Sequence, residues 1–322
     1  MDEVRSITQI PGIHAGHATN AGAGTGCTVI VCPAGATGAV DVRGGAPATR
    51  ETDLLRPEET VQVLHAVVLS GGSAFGLAAA SGAADELERR GVGLDVMVAK
   101  VPIVSSACVF DLACGEASVR PDASYGVRAV RAALDAVDAP LECGNVGVGT
   151  GCTVGKVAGP ARAMKAGLGE GIRQVEELIC GAVAAVNAVG NVVDPVTGAP
   201  IAGVLSADGG QVVSVEAALA EAGAAMPLRT NTTVSCVVTN ARLSKAQATK
   251  VAQMSADAYA HVIRPTHTTN DGDCIFVMAT GAIEAEVDVV GMLATAALED
   301  AIVDAVRTAQ GAYGLKAARD LG

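Results

Sequence analysis

The sequence predicts a single domain of mixed α and β structure. Three observations carry that prediction. Short β-branched runs alternate with longer stretches of helical periodicity; no fixed-period repeat, low-complexity tract or linker divides the chain; and 50% of the 322 residues are hydrophobic against 17% charged. Such a length is ample for a well-covered core, and such hydrophobicity excludes a disordered chain. With no tryptophan, three tyrosines and three phenylalanines, the core is expected from Val, Ile, Leu and Ala. The 39 glycines point to tight turns and close backbone approaches.

Residues 27–32 and 67–69 read as buried strands, each closed by glycine or proline. A helix is expected over 73–90, with Ser73 as its N-cap and Gly91 as its stop. Residues 125–137 form a second helix candidate, and 184–188 a strand within an apolar stretch. A short helix at 216–222 precedes the clearest strand, 233–239, which reads Thr-Val-Ser-Cys-Val-Val-Thr. Then follow a helix over 244–263, a strand at 274–279 and a long helix over 287–309, with Val290, Leu293, Leu298 and Ile302 at helical spacing.

Charge argues against a nucleic-acid partner: 22 Lys and Arg against 34 Asp and Glu give −12, with no basic cluster to meet phosphates. The nine cysteines form no Cys-x-x-Cys pair and have no histidine at ligand spacing, so they read as reduced thiols of a cytosolic protein rather than a zinc site. No cofactor is expected. The start, Met-Asp-Glu-Val-Arg, carries no export signal pattern. Residues 64–84 are apolar enough to raise a membrane span, yet His65, three serines and four glycines favour a strand, a glycine elbow and a helix.

Two glycine-rich segments invite a phosphate reading. Ser70-Gly71-Gly72-Ser73-Ala74-Phe75-Gly76 follows a strand and opens a helix, where backbone amides could hold an anion. Residues 147–156 end in Gly155-Lys156 but fail the phosphate-loop pattern, because Thr150 and Val157 stand where it needs glycine and Ser or Thr. Turn glycines with a functional Lys156 fit better. Asp271 and Asp273 flank Gly272 just before a strand, either as a turn or as carboxylates that share a proton or orient an amine. The junction Asn231-Thr232-Thr233 reads either as an ordinary strand start or as a cleavable bond. After such a cut, Thr232 would carry a hydroxyl nucleophile and an adjacent α-amine, whose ordinary pKa of about 7.7–8.0 suits a base near neutrality.

Taken together, these segments resemble the self-cleaving DmpA-type aminopeptidases, a family that includes β-peptidyl aminopeptidases and nylon-oligomer hydrolases. The matching blocks run in order along nearly the whole chain: Asp41-Val42-Arg43-Gly44-Gly45-Ala46, the 69–77 elbow, Gly149-Thr150-Gly151 leading to Lys156, Asn231-Thr232-Thr233, and His267-Thr268 leading to Asp271-Gly272-Asp273. The resemblance implies a four-layer αββα sandwich like that of ornithine acetyltransferase. It implies cleavage between Asn231 and Thr232 into chains 1–231 and 232–322, associated as a homotetramer of α/β pairs. It further implies that Thr232 is the nucleophile, that Asn187 stabilises the oxyanion, and that Lys156, Asp271 and Asp273 complete the site. At one position the chain departs from its relatives: the family's active-site tyrosine matches Phe110, which has no hydroxyl.

Three functional classes follow. The first is an amide hydrolase acting on small peptides or ω-amino-acid oligomers such as those of 6-aminohexanoate, with an aminopeptidase for β- or D-amino acids as its variant. The second is an acyltransferase of the ornithine acetyltransferase kind, and the third a ligand-binding protein that keeps the fold without the chemistry.

Overall fold

The computed structural model describes residues 3–136, 139–222 and 231–321. The expected helix end at Val137 and the residues Arg229 and Thr230 lie outside them. Two sheets share one long strand. The first sheet is built from β1 (His14–Asn20), β2 (Thr25–Val42), β3 (Thr49–Arg50), β4 (Leu64–Ser70) and β5 (Val104–Cys108), in the order β1-β2-β4-β5-β3. The second comprises β6 (Leu168–Val175), β7 (Leu178–Asn187), β8 (Thr232–Ala241) and β9 (Cys274–Ile283), in that order, and closes on β2. The first half of β2 pairs with β1 and β4, and its second half pairs with β9. Between the halves lie Pro33, which donates no ladder hydrogen bond, and Gly35 at φ +83°, where the register shifts.

Helices cover both outer faces, giving the four layers αββα. Helices α1 (Ala78–Arg89) and α2 (Ala123–Asp135) lie on the first sheet; after α3 (Val215–Ala222), helices α4 (Lys245–Ser255), α5 (Asp257–Val262) and α6 (Val287–Thr308) pack with the second. Strand alternation sorts the core. On β4, Ala66 and Val68 join Leu87 and Val130 of α1 and α2, while Val67 and Leu69 point into the larger core that continues through the second sheet. Every β4 residue is buried, so an apolar run of this kind is a strand covered on both sides. Small residues set the helix spacing: a Cβ on Gly82 would lie 1.8 Å from the Ala123 carbonyl oxygen, and one on Gly126 1.9 Å from that of Ala79.

Two expected elements are corrected. Ser73 is not a helix N-cap; at φ +54° it starts a 3-10 turn (Ser73–Leu77), and α1 begins only at Ala78. The helix expected over 244–263 breaks at Ala256. Ser244 caps α4 with Gln247 as expected of a capping box, but the Ser255 hydroxyl folds back onto the Val251 carbonyl, a contact that bends helices. The bend lets Tyr259 of α5 reach Thr233 and Ser235 of β8 with its hydroxyl. Within the apolar stretch 64–84 lie β4, the elbow and the start of α1, and no described helix is long and apolar enough to cross a membrane.

Candidate active site

Strands β7 and β8 run antiparallel, and their register sets Asn187, the last residue of β7, opposite Thr232, the first of β8. Directly opposed residues share a face, so both side chains enter the same buried region, at 0% and 5% exposure. The Thr232 hydroxyl donates to the carbonyl oxygen of Asn231, which also accepts the Gly272 amide at 3.1 Å. Only glycine at 272 lets this loop lie so close. A Cβ there would stand 2.9 Å from Thr232 Oγ1 and 3.0 Å from the Ala46 oxygen.

The 271–273 loop is tied to Asn231 by a parallel bridge at Asp271 and is cradled by the 41–46 segment. Arg43 and Gly44 amides donate to the Asp273 carbonyl, Gly45 to that of Thr268, and Ala46 to that of Asp271 at 2.8 Å. Asp273 itself is fully engaged: Oδ1 accepts the Thr233 amide at 2.7 Å, and Oδ2 accepts Thr266 Oγ1 and the His267 amide and faces His267 Nδ1. It therefore fixes the backbone immediately after Thr232. Asp271 accepts the Thr268 amide at 2.7 Å with one oxygen, while its Oδ1 is buried without a hydrogen-bond partner. Burial first, and the neighbouring Asp273 charge second, hold the Asp271 carboxyl above the usual carboxylate range.

Across the sheet, Lys156 Nζ donates to both the backbone oxygen and Oδ1 of Asn187, each at 2.8 Å. The Thr153 amide and hydroxyl donate to the same Oδ1 at 3.1 and 3.2 Å. With Oδ1 fixed by three donors, the Nδ2 end is set in direction, and it donates to the Phe110 carbonyl at 2.9 Å. Burial pulls the Lys156 ammonium down to about 7, so it titrates near neutrality. Lys156, Thr153 and Phe110 also line a cavity of about 500 Å³. A second buried cation supports this arm. Lys165 Nζ donates to the carbonyls of Gly149, Cys152 and Ala166, and its backbone pairs with Thr153.

The glycine elbow holds an anion that belongs to the protein itself. The Gly72 amide donates to Asp111 Oδ1 at 2.6 Å, Thr25 Oγ1 donates to Oδ2 at 2.6 Å, and a Cβ on Gly71 would overlap that carboxylate at 1.9 Å. The phosphate reading of residues 70–76 is thereby replaced, since the anion position is occupied by a side chain. Residues 147–156 form a 3-10 turn, a short strand and the start of a second turn at Lys156, so the glycines of this segment sit in and beside turns.

The structure thus brings Thr232, Asn231, Asn187, Lys156, Asp271 and Asp273 into one buried region, with Phe110 on the adjoining wall. Sequence reasoning missed Thr153, Gly272, Lys165 and Asp111 as supports. Thr153 and Gly272 lay inside segments already singled out; Lys165 and Asp111 had no signal beyond being charged residues in apolar surroundings. All nine cysteines are free, eight of them buried. Among the described residues no group of three or more His, Cys, Asp or Glu side chains is placed to hold a metal ion.

Comparison with known proteins covers nearly the whole chain. Residues 5–319 match the model of Peptidase family S58. An uncharacterized aminopeptidase of Mycobacterium leprae is 42% identical over 297 residues, covering 88% of this chain and 80% of that protein. A 6-aminohexanoate-oligomer endohydrolase of Paenarthrobacter ureafaciens is 33% identical over 279 residues, covering 85% of this chain and 74% of that protein. Among solved structures, the L-aminopeptidase D-Ala-esterase/amidase of Ochrobactrum anthropi, described as a variant of the Ntn hydrolase fold, superposes with a TM-score of 0.64 at 18% identity, covering 94% of this chain and 86% of that one.

Proposed function

The chain belongs to peptidase family S58, and from that premise we propose that it is a self-processing amide hydrolase whose nucleophile is Thr232. The observation that carries the proposal is the crowding at Asn231: its carbonyl oxygen receives both the Thr232 hydroxyl and the Gly272 amide. In the first reaction, Thr232 Oγ bonds to the Asn231 carbonyl carbon and the Asn231–Thr232 C–N bond breaks. The acyl group moves from nitrogen to oxygen, and the nitrogen gains a proton. The Gly272 amide lies where charge develops on the oxygen during that step. Water then hydrolyses the ester, leaving a carboxylate at Asn231 and a free α-amine on Thr232, and chains 1–231 and 232–322.

In the mature enzyme the same oxygen attacks a substrate amide, passing its proton to the α-amine, and an acyl-enzyme forms that water resolves. Asn187 Nδ2 serves the substrate oxyanion, held in direction by Thr153 and Lys156. While Lys156 is protonated, its charge favours the neutral, basic form of the new amine, as a nearby like charge does. Asp271 Oδ1, buried and unpartnered in the uncut chain, is the acceptor for that amine, and Asp273 keeps Thr233 in place. Substrates are small peptides or ω-amino-acid oligomers, in keeping with the aminopeptidase and oligomer endohydrolase among its relatives, and the assembly is a homotetramer of α/β pairs.

The test is direct. Purified protein should run as fragments of 231 and 91 residues under denaturing conditions, the smaller starting Thr-Thr-Val-Ser-Cys. Thr232→Ala should stay whole and inactive, and Thr232→Ser should retain some cleavage. A start at Thr233, or normal amide hydrolysis by the alanine variant, would remove Thr232 from the mechanism.

A further inference from the structure

We propose that the cavity beside Lys156 receives the acyl part of the substrate, and that it accepts an uncharged apolar chain and turns away an ammonium. The inference rests on Thr232 being the nucleophile and goes beyond it to the chemical class of substrate. The cavity, about 500 Å³, is large enough for a chain of several methylenes. It adjoins the reacting region through Asn187, whose Oδ1 and Nδ2 bond to Thr153, Lys156 and Phe110, three residues of its wall. An enzyme that removes N-terminal residues has to hold the substrate's ammonium within about one residue of the scissile carbonyl. Once buried, that ammonium needs compensating acceptors, and the strongest is a carboxylate facing the acyl chain.

None is available on this wall. Asp111 is the only carboxylate among the described lining residues. Both its oxygens are taken, by Thr25 and by the Gly72 amide, and the elbow backbone packs against it. Lys156 Nζ is turned to the Asn187 backbone oxygen and Oδ1 and brings no negative charge to pair with an ammonium. The Tyr313 hydroxyl donates to the Ala21 carbonyl at 2.6 Å, and the remaining wall is largely Ala, Gly, Pro, Leu and Phe. In the reading above, the open oxygen of Asp271 serves the Thr232 amine and leaves no partner for a substrate's. The expected activity is therefore on internal or N-blocked amide bonds rather than on N-terminal residues.

Two matched anilides isolate the charge: hexanoyl-p-nitroanilide and 6-aminohexanoyl-p-nitroanilide have the same chain and differ by one ammonium. The neutral one should be hydrolysed with kcat/KM at least tenfold higher. Ala161→Glu, which sets a carboxylate on an exposed part of the wall, should narrow or reverse that ratio. A wild-type preference for the cation, or a ratio unmoved by Ala161→Glu, overturns the proposal. Binding gives a readout that needs no nucleophile: hexanamide should raise the melting temperature of Thr232→Ala at concentrations at least tenfold below those needed for 6-aminohexanamide. Equal or tighter binding of the cation sinks the cavity assignment and leaves Thr232 untouched. Hydrolysis of either anilide by Thr232→Ala sinks the nucleophile, with the binding preference still standing.

Discussion

Replacing Lys156 by methionine should stabilise the protein in acid and destabilise it in base. The perturbation is best made in a Thr232→Ala background, where the proposed cut is blocked and every molecule should remain one chain. Burial lowers the Lys156 pKa from 10.5 to about 7. Between those values the unfolded chain holds a proton that the folded chain lacks, so stability rises with pH by about 1.36 kcal/mol per unit. Across the window this amounts to roughly 5 kcal/mol. Below pH 7 both states are protonated and the full penalty of burying the cation stands; above pH 10.5 both are neutral and it is gone. Methionine has similar bulk and no proton, so it escapes the penalty. It also gives up the two bonds to Asn187, while Oδ1 keeps the Thr153 donors. Losing those donors costs about 1–3 kcal/mol. The methionine variant should therefore be more stable by roughly 2–4 kcal/mol at pH 6 and less stable by up to about 2 kcal/mol at pH 10. Urea midpoints measured at pH 6, 8 and 10 for both proteins read this out. A difference that does not change with pH would refute a depressed Lys156, whatever its role in catalysis.

Gly272→Ala introduces a Cβ within 2.9 Å of Thr232 Oγ1. Displacing the hydroxyl by a fraction of an ångström should slow self-cleavage about 10–100-fold, timed on gels, with the fold retained. Phe110→Tyr places a hydroxyl at a wall whose neighbours are mainly apolar. Activity on neutral amides should fall, in line with about 1–3 kcal/mol for an unpartnered hydroxyl, and a clear rise in kcat/KM would mean the hydroxyl finds the oxyanion. Light scattering should give a mass near four times 31.8 kDa; a mass near 32 kDa at micromolar concentration would exclude the tetramer.

Much of the fold and site was legible because the relevant residues sit in patterns with local causes. β8 was read from its β-branched run, α6 from its helical spacing, and the α4 start from Ser244. Strands β1 (His-Ala-Gly-His-Ala-Thr-Asn) and β6 (Leu-Gly-Glu-Gly-Ile-Arg-Gln-Val) were not. Both are rich in glycine and polar residues and owe their conformation to pairing with β2 and β7, which is a tertiary effect. The site divides the same way. Thr232, Asn231 and the aspartates announce themselves by motif, whereas Asn187 meets Thr232 only through a strand register that no local spacing encodes. Asp111 resisted reading for a further reason. A glycine elbow looks alike in sequence whether its amides hold a phosphate or a carboxylate from 39 residues away.

The order of strands in the second sheet has a consequence for how the mature protein can come into being. A cut after Asn231 leaves β8 and β9 in the small fragment, wedged between β7 on one side and β2 on the other, both from the large fragment. Parted from its mate, the small fragment would present two unmatched ladders to solvent, the arrangement most prone to aggregate. With the proposed cut, assembly would be one-way: the strands would have to be threaded while the chain is still continuous, with scission afterwards. Fragments expressed from separate genes should fail to yield active protein, and large and small chains from differently labelled preparations should not trade places. A damaged small fragment could not be swapped for a fresh one, so each active molecule would keep, for life, the two halves it was made with.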